Sequence, residues 1–290
     1  MQTKNPIFKA EMKPIVELIL PIDKFSDWIL DQTKIYDTTK MSEGMFKGNP
    51  ISSRITFKFG GGLLVQFDKA VLLALISEYD AGNEFVSFQR LFETLGGSNH
   101  LTSPIKTKLS KSIEKLMNTF VDIDMGEIVN ARYKGNQAKL KSMLLPCKLA
   151  TAEINSQITD GVIQLLGHSP LLDVADIKSQ IARIPVKTIS ELPIRSTATA
   201  ISLAWYLLER ISEIVGSNSS ERKKRVHKLQ YTILFDTLYD KCGFTDLNRD
   251  QRQKLRKSME TILEHFQNCG LINSFKFIKK NGKNYSIEIS

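Results

Sequence analysis

The hydrophobic period of this chain switches from helical to strand spacing twice, and few folds accommodate that. Thr102, Ser103 and Pro104 form a helix start signal, after which Ile105, Leu109, Ile113, Leu116 and Phe120 make a stripe at helical spacing. Over residues 249–268, Leu255, Met259, Ile262 and Phe266 make a second stripe, ended by Gly270. Each stripe gives way to alternation. Val121 to Ile123 reads as a short strand, and residues 127–133 and 138–145 as two more, joined by Lys134-Gly135-Asn136-Gln137. After the second stripe, residues 271–277 and 285–289 alternate around Lys279-Lys280-Asn281-Gly282-Lys283.

Two shorter helices precede each stripe. Asp68 caps a helix through Glu78 with Val71, Leu72, Leu75 and Ile76 on one face, and a second follows at residues 87–95, ended by Gly96-Gly97. Later, Ser196 or Thr197 caps a helix carrying Ile201, Ala204, Trp205, Leu208, Ile211 and Val215, ended by Gly216. Residues 226–241 read as the next, with Leu229, Ile233, Leu234, Leu238 and Tyr239. The order helix, helix, long helix, hairpin therefore occurs near residues 68–145 and again near 198–290, as a match of architecture without a residue-level repeat. The expected fold class is α+β, with two tandem winged-helix domains, each a helix-turn-helix closed by a β-hairpin wing.

At 290 residues the chain suffices for two ordinary domains. The N-terminal one is placed at 1–166, a connecting segment interrupted by Pro170, Pro185 and Pro193 at 167–196, and the C-terminal one at 197–290. Residues 174–184 hold at most one helix of that connection. The N-terminal domain has extra strands: Ile55, Phe57 and Phe59 alternate before Gly60-Gly61-Gly62, which reads as strand, turn and second strand. No Lys-Ser/Thr follows those glycines at the spacing of a phosphate loop.

Charge is unevenly distributed. The net charge is +9, from 40 Lys and Arg against 31 Asp and Glu, and residues 222–290 alone hold fifteen of the cations and seven of the acids. The preceding 221 residues are nearly neutral, with 25 cations against 24 acids. Excess charge gathered in one region marks a polyanion-binding surface. On the second long helix, Arg249, Gln253, Arg256 and Lys257 project between about 100 and 200 degrees from Leu255, with Arg252 at the border. Arginine can take guanine N7 and O6 bidentately, glutamine can pair with adenine, and lysine supplies phosphate charge. Arg222, Lys223, Lys224 and Arg225 in the preceding loop, and Lys279, Lys280 and Lys283 at the hairpin tip, flank this face as phosphate clamps. The first long helix is less pointed: Thr107, Ser110, Lys111 and Glu114 are exposed, with Lys108 and Lys115 to one side. Lys108 and Lys111, with Arg132, Lys134, Lys139 and Lys141 of the first hairpin, form a secondary candidate set equally suited to phosphate or to protein.

Catalytic constellations are missing. His100, His168, His227 and His265 are isolated, and neither a G-x-S-x-G sequence nor a Walker pair occurs. Cys147, Cys242 and Cys269 are odd in number and far apart, as expected of reduced thiols rather than metal ligands. No apolar run approaches the roughly 20 residues that cross a bilayer, and residues 1–13 lack a secretory apolar core. The expectation is a cytoplasmic protein that is not an enzyme and needs no cofactor, metal or membrane.

The chain resembles the plasmid replication initiator (Rep) proteins of theta-replicating plasmids over residues 67–290. The likeness is carried by Leu72-Leu73-Ala74-Leu75-Ile76, by the wing-like segment 125–145, by Ala204-Trp205-Tyr206-Leu207-Leu208-Glu209-Arg210-Ile211, and by residues 262–272 with the closing basic hairpin. Residues before Asp68 have no counterpart. The resemblance implies binding to double-stranded DNA, at origin repeats as monomer and at an operator as homodimer, and recruitment of host replication proteins. It places the main major-groove contacts on Arg249, Arg252, Gln253, Arg256 and Lys257. A transcriptional regulator of the same fold, and a phage or plasmid protein-interaction factor without specific DNA readout, are the alternatives.

Overall fold

A computed structural model of the chain describes residues 13–22, 41–48, 51–59, 63–98, 100–124, 139–177, 179–217, 232–280 and 283–290. In chain order the first part holds β1 (Glu17–Pro21), β2 (Met41–Gly48), β3 (Ile51–Phe59), α1 (Gln66–Asp80), β4 (Phe85–Ser87), α2 (Phe88–Thr94) and α3 (Ser103–Met117). It continues with β5 (Thr119–Asp124), β6 (Lys139–Met143), β7 (Cys147–Ile154) and β8 (Gln157–Leu165). Then come α4 (Pro170–Ile177), β9 (Ile181–Pro185), α5 (Lys187–Ser190) and α6 (Ala198–Ser217). The last part is β10 (Thr232–Leu234), α7 (Phe235–Lys241), α8 (Arg249–Asn268), β11 (Phe275–Lys280) and β12 (Lys283–Ile289). The fold is mixed α+β.

Helix α1 is the centre of the molecule, buried at every position from Gln66 to Glu78. Its start differs from the sequence expectation. No second strand follows the glycines: residues 63–65 lead directly into the helix, with Val65 as N-cap. Asp68 sits one turn inside, where its carboxylate accepts from the Val65 N–H at 2.9 Å and supplies an acid to the positive helix end. It also accepts from the Ser112 hydroxyl and from Lys115 Nζ at 3.2 Å, which ties α3 to α1. On the opposite side β1 lies against α1, with Leu18, Ile19 and Leu20 at most 1% exposed. Ser77 Oγ accepts from the Ile19 N–H at 2.9 Å and donates to the Leu73 carbonyl at 2.8 Å.

A hairpin that the turn residues did not indicate completes the sheet of the first unit. Strands β7 and β8 form it, closed by Asn155 and Ser156 at φ 50° and 59°, the positive-φ pair of a two-residue hairpin turn. It is joined along β8 by β4, in the order β4-β8-β7. The expected wing segment instead supplies β6, which pairs with β5 in the sheet β2-β3-β5-β6. The expected strand at 127–133 and the turn at 134–137 lie outside the described residues. The N-terminal strands thus complete an inserted sheet.

Residues 167–196 contain more regular structure than their prolines suggest. The helix expected within 174–184 ends with α4, and β9 then pairs antiparallel with β1, from Glu17 opposite Pro185 to Pro21 opposite Ile181.

The second unit repeats the first. The helix expected over 226–241 begins only at Phe235, because residues 232–234 form β10, and residues 226–231 lie outside the described set. The sheet order β10-β12-β11 is that of β4-β8-β7. A residue-level repeat becomes visible once these strands are aligned. Val86, Phe88, Leu91, Phe92 and Gly96 recur, spacing for spacing, as Ile233, Phe235, Leu238, Tyr239 and Gly243. Gly96 and Gly243 both hold positive φ, 92° and 69°, where the helix ends and the chain reverses. Leu109, Ile113 and Leu116 likewise share the spacing of Leu255, Met259 and Ile262, and all six are buried.

The two units share one core because α6 packs on α1. Trp205, fully buried, donates its indole N–H to the Leu95 carbonyl at 3.2 Å. Lys69 and Glu209, 2% and 6% exposed, form an ion pair across this contact, and Gln66 donates to Glu209 Oε1 at 2.8 Å. A buried charge stripped of its partner is costly, whereas a buried pair replaced by apolar groups is often tolerated. Glu209→Ala should therefore lower unfolding stability by about 3–5 kcal/mol, and Lys69→Met with Glu209→Met by much less; urea denaturation of the three chains measures the difference.

Candidate nucleic-acid interface

Helix α8 begins with a satisfied cap. Asn248 Oδ1 accepts from the Gln251 N–H, and Gln251 Oε1 accepts from the Asn248 N–H, both at 2.9 Å. This fixes the first turn, where the cations start. Leu255, Met259, Ile262, Leu263 and Phe266 are buried and set the helix rotation. That rotation leaves Arg249, Arg252, Gln253 and Lys257 exposed and Arg256 half-buried at the rim. Glu260 and Glu264 follow, also exposed, so the basic character is confined to the N-terminal half. The positive end of the helix dipole points the same way.

The side chains are individually held. Arg252 donates its Nε to the Leu247 carbonyl at 3.1 Å. The Arg256 guanidinium lies over the Phe277 ring, 5.0 Å from its centroid. Phe277 belongs to β11, so this contact joins the β11–β12 hairpin to the helix. Its ring stands 6.0 Å from Phe235 and 5.8 Å from Phe275. Tyr239 of α7 lies nearby; burial raises its hydroxyl pKa, while Arg252 opposes that rise and Asp236 adds to it.

Lys279 and Lys280 are exposed further along β11, with the Lys280 ammonium 5.1 Å from the centre of the Tyr285 ring. Lys283 opens β12. The tip at 281–282 and the whole loop holding Arg222, Lys223, Lys224 and Arg225 lie outside the described residues, so the expected clamp is represented here by lysines of one strand. A register shift between Ile278 and Lys279 breaks the alternation just before the lysine pair.

The first unit differs although its topology is the same. Lys108 places its ammonium over the buried Phe67 ring, 4.7 Å from the centroid. Burial lowers its pKa from the usual lysine value, Asp68 opposing and Lys115 adding. Lys115 donates to the Leu63 carbonyl at 2.9 Å as well as to Asp68, and Lys106 donates to the Thr159 carbonyl of β8. Ser110, expected on the exposed face, is 2% exposed and donates to Glu114 Oε1 at 3.0 Å. Lys111 is exposed on α3 beside Glu114. Lys139 contributes backbone to β6, while Arg132 and Lys134 lie outside the described residues. The hairpin β7–β8 carries Lys148 against Glu153 and Asp160, with Ile154 64% exposed near its tip.

No group of three or more His, Cys, Asp or Glu is arranged to hold a metal ion among the described residues. His168 packs edge-on against Tyr79, with ring centroids 4.8 Å apart, and His265 lies 3.4 Å from the Cys269 sulfur. Burial pushes the Cys147 thiol up to about 12 and raises Cys242 further. No helix among the described residues is long and apolar enough to cross a membrane.

The sequence matches no protein-family model and no curated protein. Among solved structures it is similar to two crystal structures of domains 2 and 3 of RctB. One is 11% identical with a TM-score of 0.44, covering 87% of this chain and 91% of the other. The second is 13% identical with a TM-score of 0.44, covering 86% of this chain and 91% of the other.

Proposed function

We propose that the chain is a sequence-specific double-stranded DNA-binding protein of two tandem winged-helix units, acting as a plasmid or mobile-element replication initiator at origin repeats. The observation that carries this reading is the basic N-terminal half of α8, set beside a lysine-bearing hairpin in a chain otherwise near neutral. The order helix, short strand, helix, helix, hairpin, with the first strand paired to the last, supports the winged-helix assignment of both units. In that geometry α8 lies in a major groove, with Arg249, Gln253 and Arg256 at base edges. Lys257, Lys279 and Lys280 then neutralise phosphates.

In this reading the protein positions and opens DNA and breaks no bond. Homodimerisation and recruitment of host replication proteins fall to the first unit, whose hairpin has little charge and an exposed Ile154. An initiator occupies several tandem sites beside an origin, whereas a regulator of the same fold occupies one palindrome at a promoter.

Selection of bound sequences from random duplex DNA at physiological salt tests the assignment. The intact chain should enrich one motif, and a chain with Arg249→Ala and Arg256→Ala should enrich none. Enrichment by neither chain removes the reading and moves the search to protein partners. By contrast, Lys279→Ala with Lys280→Ala should weaken all duplexes alike and reduce the salt slope of log K by about 1 per lysine, read by titration at several salt concentrations.

A further inference from the structure

The members of the α8 basic face are not equivalent. Arg249, Gln253 and Lys257 extend into solvent. Arg252 has spent its Nε on the Leu247 carbonyl. Arg256 alone among the four described arginines and lysines of this face, Arg249, Arg252, Arg256 and Lys257, rests on an aromatic ring. A guanidinium is planar, with its five N–H donors in that plane. The Phe277 ring, 5.0 Å from the guanidinium carbon, restricts where the Arg256 head can go. A ring contact takes up no hydrogen-bond acceptor, so the fork can still meet guanine N7 and O6.

The ring beneath Arg256 is itself packed against two others. Phe277 is wedged between Phe275, at 86° and 5.8 Å, and Phe235, at 6.0 Å. Phe235 is 3% exposed, so the stack runs from the core of the unit to the rim of its basic face. No hydrogen bond or ion pair engages the Arg256 donors among the described residues. A preorganised fork whose donors have no protein partner among the described residues suits a base edge, which demands direction; a phosphate accepts charge from a range of angles.

We infer that Arg256 reads a single G·C base pair and that Phe277, from the wing, is its positioning residue. This rests on the DNA-binding reading and goes beyond it by assigning sequence choice to one contact between helix and hairpin. Phe277 touches no DNA in this arrangement; it acts through Arg256.

The test is equilibrium binding of the full chain to its selected duplex and to every single-base-pair variant of it. Arg256→Lys keeps the charge but loses the fork, and Phe277→Leu keeps apolar volume but loses the ring. Both should reduce discrimination at the same G·C pair by about tenfold or more and leave other positions unchanged. The double variant should lose no more than either single one, and Phe277→Tyr should retain the preference. A uniform loss on all duplexes with Phe277→Leu, or undiminished preference with a folded chain, overturns the assignment. Thermal melting reports whether Phe277→Leu is folded; if it is not, Arg256→Lys decides, and full discrimination by that variant overturns the inference. Failure of the wild-type chain to prefer any duplex would instead sink the DNA-binding reading itself.

Discussion

A helix buried on every side can carry charges only where each finds a partner, and α1 carries several. Asp68, Lys69 and Glu78 are all within 2% of full burial. Each is tied to a different neighbour. Asp68 holds α3 through Ser112 and Lys115. Glu78 holds the β4–α2 region, accepting from Arg90 Nε at 2.8 Å, from Thr94 Oγ1 at 2.7 Å and from Asn83 Nδ2 at 2.7 Å. Lys69 reaches Glu209 on α6. Unpaired, any of these groups would penalise folding heavily, so the set permits few arrangements of the surrounding elements. Helix α3, the β4–α2 region and the entry into the second unit are all referred to this one helix.

From that shared frame the two units diverge at their surfaces. Both place a long helix in front of a three-stranded sheet, and both use a buried Phe, Phe88 or Phe235, at the strand-to-helix step. In the first unit three cations of the long helix are engaged within the protein, Lys106 by a carbonyl, Lys108 by an aromatic face and Lys115 by a carboxylate, while Lys111 is exposed. In the second, the positions equivalent to Lys106 and Lys108 are Arg252 and Lys254, both exposed, and Arg249 and Lys257 are exposed beside them. One topology thus carries few exposed cations on its long helix in one copy and a cluster of them in the other.

Much of this was legible in the sequence where the periodic signal was long. Helix α8 spans the residues its stripe and Asn268-Cys269-Gly270 ending indicate, and α3 begins at the Ser103-Pro104 signal. Strands β4 and β10 were not legible, because three residues are too few to show a period and Ile233 and Leu234 also fit a helix face. The β7–β8 hairpin was not legible because its turn uses Asn155 and Ser156, both at positive φ without a glycine. The repeat from Val86 to Gly96 and from Ile233 to Gly243 was present in the residues, but aligning it requires knowing that a strand precedes each short helix. At the candidate interface the outward face of α8 followed from its stripe. The Arg256–Phe277 contact did not, since it depends on how the hairpin folds back across the helix.

The central claim is that DNA lies on the second unit and not the first. Amide hydrogen exchange of the full chain, with and without a random-sequence duplex at low salt, addresses it directly. The account predicts added protection over residues 249–257 and 275–285, with α3 and the β7–β8 hairpin unchanged. Protection concentrated on residues 103–117 or 147–165, with α8 unaffected, would contradict it.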